Sequence, residues 1–176
     1  MATNRLATLV NPPQNPSDPG VGKVWAEIEP GLCFPSDYVD FINNYGSGRL
    51  ADFLVIFNPF STNEDVNFFD QSRLVAEDLS ELNASDPSYY NFPLYPAPNG
   101  LIAVGVTDNG DYIFWVVDSK KDSDLWGVAI IASRSPDIEY FESNLTSTLA
   151  GILSGNLKSD SFPGLFSRGG VKFDPI

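Results

Sequence analysis

Apolar positions along this chain change their period several times, and each change predicts an element. Val21, Val24, Trp25 and Ile28 follow the i, i+3, i+4, i+7 spacing of one helix face, which predicts a short helix ended by Pro30 and Gly31. A second helix is predicted from Pro35 and Ser36, where Asp37 adds negative charge beside unpaired N–H groups. Tyr38, Phe41, Ile42 and Tyr45 form its apolar face, and Gly46 follows where a residue without Cβ favours a left-handed end. Leu50 to Phe57, LADFLVIF, reads as one buried strand closed by Asn58-Pro59. Asp70 to Leu82 suits a helix with Leu74, Val75, Leu79 and Leu82 inward and Glu77, Asp78 and Glu81 outward. Arg73 stands at i, i+4 to Glu77, a pair that stabilises a helix by only about 0.3–0.5 kcal/mol when exposed.

Beyond residue 100 the period shortens to that of strands. Leu101 to Val106 and Tyr112 to Val117 flank Asp108-Asn109-Gly110, and the Asn-Gly step predicts a tight hairpin with positive φ angles. Leu125 to Ala132 reads as another strand. Ser135-Pro136-Asp137 resembles a helix start, which predicts a helix running to Ser154 with Ile138, Phe141, Leu145, Leu149 and Ile152 as its stripe and Gly155 past its end. Residues 1–20 are rich in Pro and Asn and read as an extended lead-in with at most a short strand at Leu6 to Val10. The segment Ser85 to Gly100 holds Tyr89, Tyr90, Phe92 and Tyr95 among four prolines, which forbids a long helix and favours a loop packed by its own rings. The tail from Phe162 to Ile176 is expected to lie on the body without regular structure.

Helices and antiparallel strands in this order predict an α+β fold, a single domain over residues 1–176 with helices packed against a mixed, largely antiparallel twisted sheet. The charge narrows the partners. Ten basic residues against 23 acidic ones leave a net charge of −13, which repels phosphate and argues against binding nucleic acid or an anionic membrane surface. A basic protein is the complementary partner. The charge concentrates in residues 61–100, where Glu64, Asp65, Asp70, Glu77, Asp78, Glu81 and Asp86 face Arg73 alone. The bland reading of such a face is solubility; the sharper one is binding. No apolar run approaches the roughly 20 residues that cross a bilayer, and Cys33 is the only cysteine, so a cytoplasmic location is expected.

Catalytic chemistry is hard to place. The chain has no histidine, which removes Ser-His and Cys-His nucleophile pairs and every His-containing zinc site. Cys33, among Leu32, Phe34 and Pro35, is expected to be a small core residue. Gly46-Ser47-Gly48-Arg49-Leu50-Ala51 matches a dinucleotide fingerprint in letters, but it follows a helix and precedes a strand, the reverse of what phosphate binding needs. Asp108-Asn109-Gly110-Asp111 hints at a calcium loop, yet Ser119 stands where an EF-hand needs glutamate. No cofactor, metal or catalytic residue is expected. Two carboxylates suffice for a glycosidase, so that class is kept as the enzyme alternative, with a pocket holding two converging acids as its requirement.

The stretch Trp25 to Gly48, WAEIEPGLCFPSDYVDFINNYGSG, also resembles the opening motif of the SUKH superfamily, the Smi/Knr-type immunity and cell-wall-regulator proteins. The residues that carry the likeness are Trp25, Ile28-Glu29, Gly31, Phe34-Pro35-Ser36-Asp37-Tyr38, Phe41-Ile42 and Tyr45-Gly46-Ser47-Gly48. Gly105 to Phe114 resembles a second landmark, strand, glycine turn and strand, and Trp126-Gly127 sits where many members begin a third. Phe34 replaces the family's leucine, and residues 57–99 form a long insert that does not look family-like. The resemblance implies a non-enzymatic immunity protein that neutralises a toxin domain, often a nuclease; a regulatory or scaffolding module is the alternative. Nuclease clefts are basic, so Asp70, Glu77, Asp78 and Glu81 are the candidate binding residues, with the aromatic loop of Tyr89, Tyr90 and Tyr95 as anchor. Trp25, Tyr38 and Phe41 are assigned to the fold.

Overall fold

The structure is a computed structural model and describes residues 2–162 and 170–176. Its centre is a seven-stranded sheet: β1 (Gly48–Leu50), β2 (Leu54–Ile56), β3 (Gly100–Thr107), β4 (Tyr112–Val117), β5 (Gly127–Ile131), β6 (Glu139–Phe141) and β7 (Phe173–Pro175). The strand order is β6-β5-β4-β3-β2-β1-β7, and every pairing is antiparallel, so the sheet has none of the parallel pairing that a mixed one would contain. Four helices accompany it among the described residues: α1 (Ala2–Leu9), α2 (Ser36–Tyr45), α3 (Phe68–Ser85) and α4 (Leu145–Leu153). The architecture is the expected α+β arrangement.

α2 forms where its pattern places it. Tyr38, Phe41, Ile42 and Tyr45 are fully buried, and the two tyrosine hydroxyls donate to backbone carbonyls, Tyr38 to Phe57 and Tyr45 to Val10 at 2.6 Å. Burial pushes the Tyr45 phenol up to about 12 and Tyr38 well above its usual value, so both remain donors. Gly46 ends the helix at φ 68°, and a Cβ there would lie 2.0 Å from the Ser17 carbonyl oxygen, so any other residue would collide with the backbone. Asp37, also buried, reaches across to α4: its Oδ2 accepts from the Thr146 N–H at 2.9 Å and the Thr146 hydroxyl at 3.1 Å. Burial outweighs these donors and holds the Asp37 carboxyl above its ordinary value.

Several sequence expectations are corrected. Residues 21–28 form no helix, because Gly22 takes φ 74° and breaks the turn; Val21 and Val24 are 69% and 91% exposed, and only Trp25 and Ile28 turn inward. Residues 2–9 are helical, not extended, and α1 seats Leu6 and Val10 in the core. LADFLVIF is a hairpin: Ala51 and Asp52 take φ 58° and 53°, and β1 folds back on β2 with Leu50 opposite Leu54. The helix expected from Ser135 begins only at Leu145. Ser135 does accept from the Asp137 N–H at 3.1 Å, but that bond closes a local turn, Glu139–Phe141 joins the sheet edge, and Asn144 caps α4 through the Ser147 N–H. Phe173–Pro175 of the tail pairs with β1 as a strand, while residues 163–169 of that tail lie outside the described residues. Cys33 is exposed, held at the surface between the inward-facing Leu32 and Phe34.

The β3–β4 hairpin holds its place but not its predicted turn. Gly110 alone takes positive φ, at 82°, and the Thr107 and Asp111 backbones close the loop, the arrangement of a type I turn with a glycine bulge. Asp111 fixes it, accepting from the Thr107 hydroxyl at 2.8 Å and the Ser133 N–H at 2.9 Å.

Candidate functional site

α3 carries most of the candidate residues, and its own sequence sets its orientation. Asn67 caps it, accepting from the N–H groups of Phe69 and Asp70, and Phe68, Val75 and Leu79 are buried with Leu82 packed beside them. Leu74, expected inward, is 42% exposed, because it lies one position off that stripe. The opposite ridge, Phe69, Arg73, Glu77 and Glu81 at four-residue spacing, lines an open groove of about 780 Å³, with Ser72 and Ala76 alongside. Across from the helix the groove is bounded by Ile28 and Glu29, and by Leu94, Tyr95, Leu101 and Ile102.

Each wall has a local cause. Ile28 and Glu29 sit on a tight turn around Gly31, at φ 79°, in which the Ile28 N–H donates to the Leu32 carbonyl and the Leu32 N–H to the Glu29 carbonyl. Leu94 and Tyr95 are held by two clasps: the Asn83 amide of α3 bonds both ways with the Phe92 backbone, at 2.9 and 2.8 Å, and the Leu101 N–H donates to the Pro93 carbonyl at 2.9 Å. Phe69 links the groove to the interior, its ring 5.3 Å from Phe68 and 6.1 Å from Phe34. Phe34, Phe68 and Tyr38 in turn surround Trp115 of β4.

Three carboxylates, Glu29, Glu77 and Glu81, and one guanidinium, Arg73, therefore line this groove. Arg73 bonds Glu77 at 3.2 Å, and both side chains are more than half exposed. Glu29 and Glu81 form no ion pair among the described residues. Converging acids were the requirement set for a glycosidase, but all three stand exposed, whereas a general acid kept protonated near neutral pH needs an apolar, buried setting. Among the described residues no group of three His, Cys, Asp or Glu side chains is placed to hold a metal ion.

The groove thus brings together Glu77, Glu81 and Tyr95 of the candidates. Asp70 lies in the first turn of α3, outside it. Asp78 points away, and its charge, after burial, helps raise the Tyr112 phenol. Tyr89 and Tyr90 stack edge to face at 4.7 Å, with Tyr89 52% exposed, but neither lines the groove. Sequence reasoning missed Glu29, Arg73 and Phe69 as parts of one surface. The last two were legible in the four-residue spacing with Glu77 and Glu81; Glu29 was not, since only the tertiary fold sets it opposite α3.

Every groove residue falls within residues 25–147, which match the family model SUKH_6, described as SMI1-KNR4 cell-wall. The chain belongs to this SMI1-KNR4 family. Residues 57–99, the long segment between the glycine turn and the hairpin, fall within the bounds of that match. It takes in α2, α3 and β1 to β6, while α1 and β7 lie outside it. No curated protein and no solved structure matches the chain. Membership supports a general immunity or SMI1-KNR4-type role. Among the described residues no helix is long and apolar enough to cross a membrane.

Proposed function

We propose that this protein is an immunity protein that binds and neutralises a cognate toxin domain, a basic one, through the acidic surface of α3, and that it acts by binding and not by catalysis. The observation that carries this reading is the groove beside α3, where Glu77, Glu81 and Tyr95 converge on an apolar lining in a chain of net charge −13. A nuclease cleft built for phosphate presents the complementary charge, and opposite potentials speed encounter as well as fixing orientation. The test is a pull-down with the product of the neighbouring gene, followed by association kinetics of the pair. Reversing Glu77, Asp78 and Glu81 to lysine is expected to slow association and flatten its salt dependence; unchanged rates with a verified partner would remove the acidic surface from the account.

The family description, with its cell-wall term, favours one second reading, a regulatory or scaffolding module. Genomic context separates the two, because an immunity gene stands beside a toxin or secretion gene.

A further inference from the structure

The groove is more selective than an acidic surface requires, and its lining names its occupant. We infer that it receives an arginine side chain carried on an exposed segment of the partner protein, with an apolar neighbour of that arginine seated beside it; this rests on the partner-binding reading above. Three features converge on that chemistry. The charged rim, Glu29, Glu77 and Glu81 against Arg73, has carboxylates to spare, and the Arg73–Glu77 pair is exposed and joined by one bond, so an incoming guanidinium exchanges with Arg73 at little cost. Apart from the serines Ser72 and Ser80 of α3, the uncharged lining is apolar and aromatic, with Ile28, Phe69, Leu94, Tyr95 and Ile102 in it. A weakly hydrated planar guanidinium, which pairs with carboxylates and stacks on rings, fits that mixture better than an ammonium group does.

The occupant is a segment of chain, on two grounds. A volume of about 780 Å³ exceeds what one side chain fills, so flanking residues enter with it. The backbone of Leu101 is already bonded on this side, to Pro93 and Tyr95, so the segment is recognised by its side chains and not as an added strand. Phosphate-bearing ligands are repelled by the same three glutamates.

The probe is a displayed library of unstructured peptides selected on the immobilised full chain, the selected peptides then being titrated by fluorescence anisotropy. Peptides with arginine beside an apolar residue are expected, with affinity falling about tenfold for Glu81→Lys and on filling the groove by Ser72→Trp. Glu64→Lys, the same charge change outside the groove, is expected to leave affinity within about twofold. Thermal melting of each variant confirms that the fold is kept. The inference is overturned by selection of no peptide, by peptides without a cation, by affinity indifferent to both groove variants, or by Nα-acetylarginine amide binding as tightly as the peptides. Failure here is distinguishable from failure of the functional reading. If the cognate partner loses affinity with Glu81→Lys while no peptide is selected, the acidic surface stands and the arginine segment falls; if arginine peptides bind and the partner ignores Glu81→Lys, the groove recognises arginine but is not where this partner docks, and the functional reading falls with the partner's arginine.

Discussion

The ring cluster around Trp115 and the groove beside α3 share a wall, Phe69, yet they are opposite kinds of surface. In the cluster Phe34, Tyr38 and Phe68 close on Trp115 at centroid distances of 5.0–6.2 Å, all of them buried. Across Phe69, four charged side chains of the groove are exposed and only two of them are paired with each other. Buried rings contribute free energy to the fold through the area they remove from water, while exposed charges contribute almost none. The difference teaches where each kind of change should be felt: stability on one side of Phe69, recognition on the other.

The largest expected effect tests the buried side. Tyr38→Ala removes a fully buried ring and its bond to the Phe57 carbonyl, and should cost about 3–5 kcal/mol in urea denaturation; a loss under about 1 kcal/mol would mean the cluster is not what holds the fold. Next comes Asp37→Ala, which leaves the Thr146 N–H and hydroxyl without their buried acceptor, at about 1–3 kcal/mol. The same residue gives a pH signature. A carboxyl whose pKa is higher folded than unfolded favours the fold while protonated; that contribution is complete below its unfolded value near about 3.9 and is lost as pH rises through its folded value. Asp37→Asn cannot ionise, so its stability relative to the wild type should rise with pH from about 4 upward; a relative stability that falls over that window contradicts the sign.

Smaller effects are expected on the exposed side. Reversing Glu77, Asp78 and Glu81 should shift stability by no more than about 0.5 kcal/mol each, while association with a verified partner slows by about tenfold at low salt. A large stability loss would erase the contrast between the two regions. Val24→Ser and Cys33→Ser should both fall below about 0.5 kcal/mol, since each side chain faces water. A thiol reagent should label Cys33 in the folded protein at the rate of an exposed cysteine, and labelling that waits for unfolding would put Cys33 back in the core.

Much of the sheet was readable because strands of period two with a glycine turn leave a local record, as in Leu101 to Val117. α2 was readable for the same reason, its stripe and terminal glycine lying within a dozen residues, although its start is capped from afar, the Ser36 N–H donating to Asp124 at 2.6 Å. The misses share a cause. Val21 to Ile28 and Ser135 to Phe141 carry helical spacing, but Gly22 and Arg134 take positive φ, and the sheet edge claims Glu139–Phe141. Periodicity cannot see a competing partner far away in the chain. α1 was lost behind the prolines and asparagines that follow it, since its reason to be helical is contact with α4 and α2.

Sequence alone determined the family, the α+β class, the helix α2 and the acidic stripe of α3, because capping, turn chemistry and charge spacing act between near neighbours. Tertiary structure decided which of those charges share a surface. Glu29 belongs to the motif that identifies the family, yet it becomes a groove residue only because the turn around Gly31 sets it opposite Glu77 and Glu81, some fifty residues away in the chain. Asp78, adjacent to Glu77, is excluded by the rotation of one helical residue. Membership in a site is a matter of distance in space, and that is written by packing over the whole core.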